Sequence, residues 1–335
     1  MKKINKLISF ALHKNQLKIN IMKTNKIKFL AVIAVIATIF TSCSSDSTSS
    51  DTTIAGLASS RSDLTLLVQA LDKAGLVATL QGAGPYTVFA PDNDAFIAAG
   101  YTSAVISALP ANDPGLTQIL LNHVVSGAVQ STGLTNNTYI KTLGKGSASS
   151  TNTLSMYVKI AGATVTLNGG AEVVEANIIA SNGVIHIVDE VITLPTIKDH
   201  AVANPNFTTL VGLLSGAGLV PTLDASGPLA PFTVFAPSNA AFDTFEMENP
   251  GTLASLLPAQ VSSVLTYHVV PEANVLSTGI PTTPIITVET GTLTIAGTTI
   301  TDEEMRETSI NTSAVDIQCS NGVIHVVNNV LLPTL

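Results

Sequence analysis

Apolar positions divide the chain into two copies of one series of elements. Residues 64–76 of the first copy carry leucines and a valine at three- and four-residue spacings, which predicts an amphipathic helix. Residues 207–214 of the second copy repeat this period. Gly75 and Gly218 follow these segments, and we expect both to end a helix at positive φ. Asp63 is expected to cap the first helix.

Each helical segment leads to a β-branched and aromatic run that ends at a proline. Residues 87–91 and 233–237 have this composition, which predicts two strands. Proline lacks an N–H donor, so each strand is expected to end there. A polar pair follows, and one of its side chains is expected to cap the next helix, whose first turn carries a phenylalanine. These residues are Pro91, Asp92, Asn93 and Phe96 in the first copy, and Pro237, Ser238, Asn239 and Phe242 in the second.

The remainder of each copy is rich in β-formers. Residues 158–167 and 284–300 hold alternating or β-branched segments separated by glycine, and residues 166–169 predict a hairpin turn. The last apolar runs, 184–188 and 323–327, follow Asn-Gly and are apolar on both faces apart from one histidine. This pattern predicts a buried central strand. Helices therefore precede a β-rich body, and the predicted fold class is α+β.

The period of the repeat is that of a whole domain. Phe89 and Phe235 are equivalent, and so are His186 and His325, with separations far beyond the roughly 20–50 residues of a solenoid unit. A domain typically has about 100–150 residues. We predict two tandem domains, residues 54–196 and 200–335, which lie close together because only residues 196–204 link them.

Residues 1–42 have the pattern of a secretory signal. Basic residues without an acidic one precede an apolar run, 29–40, that is shorter than the about 20 residues of a membrane-spanning helix. Met22 begins a segment that is complete as a signal, and we expect translation to start there. Thr41-Ser42-Cys43 resembles the lipobox of bacterial lipoproteins, which implies a lipidated Cys43 and a Ser/Thr tether over 43–53. An ordinary secreted protein is the alternative.

Charge limits the class of partner. The chain has 15 basic and 23 acidic residues, and eight of its lysines lie before residue 29. The remainder is strongly acidic and repels nucleic acid and anionic headgroups. We therefore expect no nucleic-acid partner, and membrane contact only through the lipid on Cys43. With Cys43 modified, Cys319 has no disulfide partner and is expected to pack as a small buried residue.

Four histidines occupy equivalent positions: His123 and His268, and His186 and His325. They could form a metal or acid–base site in each domain, or they could be buried imidazoles that donate to backbone carbonyls. No acidic residue or cysteine recurs beside them at ligand spacing, which favours the structural role. We predict no metal and no cofactor.

Other chemistry has little support in the sequence. No Gly-x-Ser-x-Gly element and no phosphate-binding Gly-x-x-x-x-Gly-Lys loop is present, so no catalytic residue and no enzyme activity are predicted. Aromatic residues make up 4% of the chain, which gives little support to a sugar-stacking platform. An acidic run, residues 302–307, occurs only in the second copy and is expected to be a solvated loop, with a cation or partner contact as the alternative.

The repeated motifs closely resemble the signatures of the fasciclin-like domain family. The first signature is Thr-Val-Phe-Ala-Pro-x-Asn-x-Ala-Phe and the second is Asn-Gly-Val-Ile-His-x-Val. Tyr267-His268 is similar to the family's Tyr-His motif, and Asn122 replaces the tyrosine in the first copy. We expect the motif residues to hold each domain together: Phe89, Pro91, Asn93, His123 and His186, and Phe235, Pro237, Asn239 and His325.

The resemblance covers about residues 53–335 and implies a fold and a role. The implied fold is a β-sandwich-like core flanked by N-terminal helices in each domain. In animal members the Tyr-His region and an Asp-Ile pair are associated with receptor binding, which makes Tyr267, His268, Asp316 and Ile317 candidate partner-binding residues. A purely structural role is the alternative for these four.

The function that the resemblance implies is a non-catalytic adhesion or binding module. We expect a lipoprotein of the cell envelope, at the outer membrane, that contacts protein or polysaccharide at the cell surface or in the matrix. The sequence leaves open which face of the outer membrane the protein occupies. A periplasmic ligand-binding or envelope-assembly protein is the alternative. A metal-dependent hydrolase built on the recurring histidines is the less favoured third hypothesis.

Overall fold

The computed structural model describes residues 51–224 and 229–335 of the chain. Each copy of the sequence repeat forms a domain in which short helices precede most of the strands. Both domains belong to one structural unit, residues 49–335. None of the helices in these described ranges is long and apolar enough to cross a membrane.

The first domain is a closed barrel with helices on its outside. Its helices are α1 (Ile54–Ser59), α2 (Thr65–Lys73), α3 (Val77–Gln81), α4 (Asn93–Ala98), α5 (Ser103–Ala108) and α6 (Pro114–Asn122), with 3-10 helices at Ser62–Leu64 and Ser131–Gly133. The barrel joins, in chain order, β1 (Tyr86–Pro91), β2 (Val124–Ser126), β3 (Thr138–Lys145), β4 (Thr153–Ala161), β5 (Thr164–Leu167), β6 (Ala171–Ala180) and β7 (Gly183–Val188).

The second domain has the same order of elements but an open arrangement of strands. Its helices are α7 (Ile197–Ala203), α8 (Thr208–Gly216), α9 (Val220–Asp224), α10 (Asn239–Glu248), α11 (Thr252–Ser255) and α12 (Pro258–Tyr267), with 3-10 helices at Pro205–Phe207 and Ser277–Gly279. Its strands are β8 (Phe232–Pro237), β9 (Val269–Val270), β10 (Ile285–Ile286), β11 (Thr292–Ala296), β12 (Thr299–Thr301), β13 (Glu307–Ser309), β14 (Ile317–Cys319) and β15 (Gly322–Val327). They form two sheets, β10-β11-β12-β13 and β14-β15-β8-β9.

Two breaks in the strand order separate the described sheets of the second domain: the ladder between β2 and β3 of the first domain has no equivalent between β9 and β10, and the strand equivalent to β6 is divided. In the first domain, β6 runs without a break from the β5 hairpin to β7 and so closes the barrel. In the second domain the equivalent segment divides into β13 and β14, and an isolated bridge joins Ile310, next to β13, to Val327 of β15. The α+β class is confirmed, with a barrel in one domain and sandwich-like sheets in the other.

Strand β1 separates two layers of the core. Its Val88 and Ala90 pack against the helices, whereas Phe89 points into the barrel interior. Strand β8 repeats this alternation, with Val234 on the helix side and Phe235 inside. Successive strand residues face opposite sides, so one short motif contributes to both layers.

Several local predictions are confirmed. Gly75 and Gly218 follow their helices with φ of 68° each. Asn168 and Gly169 form the hairpin turn between β5 and β6 with positive φ at both positions, as a type I′ turn requires. Every residue of β7 and β15 is buried, and each strand lies between two neighbours as predicted.

The expected linker is instead the first helix of the second domain. Thr196 caps α7, because its side chain accepts from the Asp199 N–H at 3.2 Å and its own N–H donates to the Asp199 carboxylate at 2.9 Å. The Ile197 N–H then donates to Asn321 Oδ1 at 2.9 Å. In the first domain, α1 is tied to Asn182 in the same way. Helix α7 therefore begins before the predicted boundary at residue 200.

Candidate functional site

His123 and His268 are fixed by backbone groups on both sides of the ring. The Nδ1 atom of His123 lies 2.8 Å from the Ile119 carbonyl oxygen, and Nε2 accepts the Ile192 N–H at 2.8 Å. His268 makes the equivalent bonds, at 2.7 Å to the Val264 carbonyl oxygen and 3.0 Å from the Leu331 N–H. Because Nε2 accepts, the proton must be on Nδ1 in both rings.

His186 and His325 have the opposite tautomer. Their Nε2 atoms donate to the carbonyls of Val129 and Val275 at 2.9 and 2.8 Å. Their Nδ1 atoms accept backbone N–H groups, at 3.2 Å for His186 and 3.3 Å for His325. Each ring also packs on the motif phenylalanine of the paired strand, with 5.4 Å between the ring centroids of Phe89 and His186.

Burial keeps these imidazoles neutral. It lowers the pKa of His123 and of His268 to about 4, and it also lowers the pKa of His186 and His325. With both nitrogens of each ring committed, no lone pair remains for a metal and no proton is available for transfer. Among the described residues, no group of three or more histidine, cysteine or acidic side chains is placed to hold a metal ion.

Asn93 and Asn239 tie the strand-to-helix corner to an earlier helix. Asn93 Oδ1 accepts the Leu66 N–H at 2.9 Å, and its Nδ2 donates to the Ser62 carbonyl at 2.9 Å. Asn239 makes the same pair of bonds to Thr209 and Pro205. The motif asparagine therefore caps α2 or α8 and not the helix that follows it.

The helices after the motif are capped by the residue before the asparagine. Asp92 accepts the Ala95 N–H at 2.7 Å, and Ser238 accepts the Ala241 N–H at 3.3 Å. The predicted cap of α2 by Asp63 is wrong, because that carboxylate lies 2.7 Å from the Arg61 guanidinium instead.

Three of the four candidate partner-binding side chains lie below the surface. Tyr267 is 0% exposed, Ile317 2% and His268 3%. The Tyr267 hydroxyl donates to the Thr292 carbonyl at 2.7 Å and accepts the Glu303 N–H at 3.0 Å. In this conformation these three side chains cannot contact a partner directly, and their contacts give them a structural role.

Asp316 is partly exposed and organises a turn. Its carboxylate accepts from the N–H and the hydroxyl of Ser277, both at 2.7 Å. In the first domain Asn177 makes the matching pair with Ser131, at 2.8 Å for each bond. Both residues have positive φ, which Asn and Asp tolerate better than most residues. Partner contact through Asp316 stays a prediction.

The acidic run begins with one buried carboxylate, Asp302, so it is not simply a solvated loop. Asp302 is 4% exposed, and it accepts the Leu332 N–H at 3.0 Å and pairs with the Arg306 guanidinium at 3.1 Å. Arg306 lies over the Phe245 ring at 5.5 Å. Glu303 accepts the Thr292 N–H at 3.0 Å. Glu303 also accepts the Thr334 N–H at 3.2 Å, so Asp302 and Glu303 fasten residues 332–334 to the rest of the second domain.

Polar contacts join the two domains along β3, β4 and β14. The Gln318 N–H donates to Ser155 Oγ at 3.0 Å, and the Ala148 N–H donates to the Ser320 carbonyl at 2.9 Å. Asn204 Nδ2 donates to the Tyr139 hydroxyl at 3.1 Å. Sequence patterns did not identify this interface, because each contact joins residues far apart in the chain.

Among the described residues, His200 is the one histidine outside the repeated motifs, and it lies in this interface. It is 0% exposed and packs edge-on against Tyr139, with 5.3 Å between ring centroids. Neither ring nitrogen has a hydrogen-bond partner among the described residues, although the ring faces the Ser155 backbone. The first copy has no histidine at the equivalent position, and this difference between the copies is the sequence feature that could have identified His200.

In the described part of the chain, residues of both domains line two clefts. The larger, about 560 Å³, runs from the β5–β6 hairpin to α7 and has lysines and carboxylates on its walls. The smaller, about 270 Å³, lies between the start of β3 and the second domain.

The structure describes one of the two cysteines, Cys319. Cys319 is 0% exposed, and burial raises its pKa well above the ordinary value, so it is not an activated nucleophile. Cys43 lies outside the described residues.

These corners, strands and buried histidines occur twice in the described part of the chain, once in each domain. The chain matches the fasciclin domain family over residues 62–195 and again over 205–333. The protein therefore belongs to the fasciclin domain family and contains two such domains in tandem. The FAS1 domain pair of the insect cell adhesion molecule fasciclin I has the same fold, with a TM-score of 0.50, 18% identity, and coverage of 80% of this chain and 95% of that one.

Relatives come from bacteria and animals. The chain is 36% identical to Protein sll1483 of Synechocystis sp., over 44% of this chain and 76% of that protein. It is 27% identical to human periostin over 78% of this chain and 30% of periostin. It is 28% identical to the transforming growth factor-beta-induced protein ig-h3 of Sus scrofa, over 76% and 35% of the two chains. The chain thus spans about a third of the length of these two animal proteins.

Proposed function

We propose that this protein is a non-catalytic adhesion or binding module of the cell envelope. In this proposal a lipidated Cys43 anchors it at the outer membrane, and the tether over 43–53 lets the domain pair face outward. Its partners are proteins or polysaccharides on other surfaces or in the matrix. The lipid is its one contact with the membrane.

The observation that carries the proposal is the engagement of all four repeated histidines in backbone hydrogen bonds. These side chains stabilise the fold and are not available for acid–base chemistry or metal binding. The shared fold with a domain pair from an insect cell adhesion molecule supports the proposed adhesion role. The contacts between the domains support a rigid module, which suits a protein that transmits force from a surface to an anchor.

A deletion strain tests the proposal through its attachment to glass and to matrix-coated surfaces. We expect attachment to fall on deletion and to return with the wild-type gene or with a Ser45→Ala control. A Cys43→Ser gene should not restore it, because the module would lack its anchor. Unchanged attachment of the deletion strain would reject the adhesion role.

The larger cleft between the domains supports a second candidate, a periplasmic ligand-binding protein. A ligand that binds only the native state must raise the melting temperature. A periplasmic extract that raises the melting temperature of the purified protein, together with normal attachment of the deletion strain, would favour this candidate.

A further inference from the structure

The first domain has a cluster of charges where the second domain has amides. Arg61 precedes the 3-10 helix Ser62–Leu64, and its guanidinium lies 2.7 Å from both the Asp63 and the Glu175 carboxylates. The equivalent 3-10 helix, Pro205–Phe207, is preceded by Asn204 and contains Asn206. The two 3-10 helices are equivalent because the motif asparagines donate to their first carbonyls, each at 2.9 Å.

The third charge has a neutral replacement as well. Glu175 pairs with Ile187 of β7. Val326 has the place of Ile187 in β15, and its carbonyl accepts the Asn311 N–H at 2.8 Å while its own N–H donates to the Ala314 carbonyl at 3.0 Å. Asn204 and Asn206 therefore replace Arg61 and Asp63, and Asn311 and Ala314, the residues beside Val326 where the first domain has Glu175, are both uncharged.

These asparagines line the cleft of about 270 Å³, and the first domain forms its other wall. Asn137 and Tyr139, at the start of β3, face Asn206, Asn311 and Ser313 across it. None of the described residues that line this cleft carries a charge, although the chain has 23 acidic residues. The cleft is therefore a neutral site on an acidic protein.

The walls of the cleft hold hydrogen-bond donors that the protein does not use. Asn137 Oδ1 accepts from Tyr157, and Asn311 Oδ1 accepts the Ser313 N–H, which leaves the Nδ2 group of each asparagine uncommitted within the described part of the chain. In the same described part, the side chains of Asn206 and Ser313 make no hydrogen bond. The Tyr139 hydroxyl accepts from Asn204 and keeps its own proton for donation.

We propose that this cleft binds a neutral saccharide, as one or two sugar units of an uncharged polymer. Sugar hydroxyl and ring oxygens accept hydrogen bonds from amide and hydroxyl donors, and a neutral ligand avoids the repulsion that the acidic surface imposes on anions. The volume is slightly below the about 300–1,000 Å³ of pockets for drug-sized ligands, which suits a short unit. A peptide strand would need an open sheet edge, whereas side chains form these walls. The assignment rests on the proposed adhesion function and names its ligand class.

Titration of the full-length protein with maltose, cellobiose and chitobiose tests the assignment, with digalacturonate as the charged comparison. The double variant Asn206→Asp, Asn311→Asp keeps the side-chain volumes and the oxygen that accepts the Ser313 N–H. It introduces two negative charges into the cleft. We expect a neutral disaccharide to bind the wild-type protein better than digalacturonate does. In the double variant, the dissociation constant of the neutral disaccharide should rise about tenfold or more. Gln130→Glu makes the same change at an exposed position outside the cleft and should leave binding unchanged.

The result that overturns the assignment is failure of all three neutral disaccharides to bind, or binding that the double variant does not weaken. Binding of capped neutral peptides that the double variant weakens would also overturn it, since the ligand would then be a peptide. If the sugars fail while the deletion strain loses attachment, adhesion stands and only the saccharide assignment is rejected. If the sugars bind and the deletion strain attaches normally, the cleft assignment stands and the adhesion role is rejected.

Discussion

The Lys141 ammonium of the first domain lies 2.6 Å from the carbonyl oxygen of Asp316 in the second. The same ammonium donates to Ser155 Oγ at 3.0 Å, and that oxygen also accepts the Gln318 N–H at 3.0 Å. Two hydrogen bonds therefore cross from β3 and β4 of one domain to Asp316 and Gln318 of the other, and the bond between Lys141 and Ser155 links their two first-domain residues. The Lys141 ammonium donates to a side chain of its own domain and to a backbone carbonyl of the other. A substitution of Lys141 therefore tests how strongly the domains are joined.

Lys141→Met keeps the apolar stem and removes the charge. We expect the free energy of unfolding to fall by about 1 kcal/mol, because solvent screens the exposed ammonium and reduces the about 1.5–3 kcal/mol of a charged hydrogen bond. Urea unfolding measures this change in the free energy of unfolding. Lys159→Met is the control, because that side chain makes no hydrogen bond within the described residues. Equal midpoints for the two variants would show that Lys141 does not couple the domains.

Stability should depend on pH through the buried histidines. Burial lowers the pKa of His123, His200 and His268 from 6.5 to about 4. The unfolded chain therefore takes up protons first, so stability is complete above about pH 6.5 and decreases as the pH falls towards 4. Each histidine contributes a slope of up to about 1.4 kcal/mol per pH unit.

Urea unfolding at pH 7.5, 6, 5 and 4 gives this slope directly. Asp63, whose pKa is lowered by the hydrogen bond from Arg61, loses its contribution only below its ordinary value of 3.8, outside this window. A flat profile between pH 6.5 and 4 would contradict the burial of neutral imidazoles.

Replacing histidine by phenylalanine should have opposite effects at two buried sites. His268→Phe leaves the Leu331 N–H and the Val264 carbonyl without partners, at a cost of about 1–3 kcal/mol for each group. His200→Phe leaves no partner unpaired, because the ring nitrogens make no hydrogen bond among the described residues. We expect His200→Phe to leave the free energy of unfolding at pH 7 unchanged or to raise it. It should also reduce the loss of stability between pH 6.5 and 4.

Thermal unfolding of both variants at pH 7 and pH 5 provides the comparison. A strongly destabilised His200→Phe would mean that its ring makes a hydrogen bond that this structure does not show.

Asn93→Ala should weaken the first domain more than its surface position suggests. The change removes the cap of α2 and leaves the Leu66 N–H and the Ser62 carbonyl without their partner. We expect a loss of about 1–2 kcal/mol, the upper range for a helix cap. Asp94→Ala, one residue further on the same helix, has no such bond to lose and should cost less than half as much. Equal losses in chemical denaturation would refute the capping role.

Tyr267→Phe tests the receptor-binding role that the family resemblance implied. The hydroxyl is bonded within its own domain, so we expect a loss of about 1–2 kcal/mol in stability and normal attachment of cells at temperatures where the protein is folded. Attachment assays beside melting curves separate the two effects. Loss of attachment with unchanged stability would restore Tyr267 as a contact residue.

Much of the fold follows from periodicity and motif. The strand at Phe89, the helix-ending Gly75 and the buried strand around His186 could be predicted, because each depends on neighbours within a few positions. The capping role of Asn93 could not, because its partner, the Leu66 N–H, lies on an earlier helix. Likewise, Thr196 and Asp199 convert an expected linker into a helix through a capping box.

The candidate site was harder to predict than the fold. The sequence places Tyr267 and His268 beside each other, but only the structure shows that both are buried. The cleft with Asn206 and Asn311 depends on how the second domain packs against Tyr139, a contact that no spacing in the sequence encodes.

Protease treatment of intact cells tests the central claim, that the domain pair faces outward as an adhesion module. The protein is followed by antibody, with a periplasmic protein as the control. If the domain pair faces outward, the protease cuts this protein while the control survives. Protection until the outer membrane is broken would contradict it, because a protein enclosed in the periplasm cannot attach the cell to other surfaces.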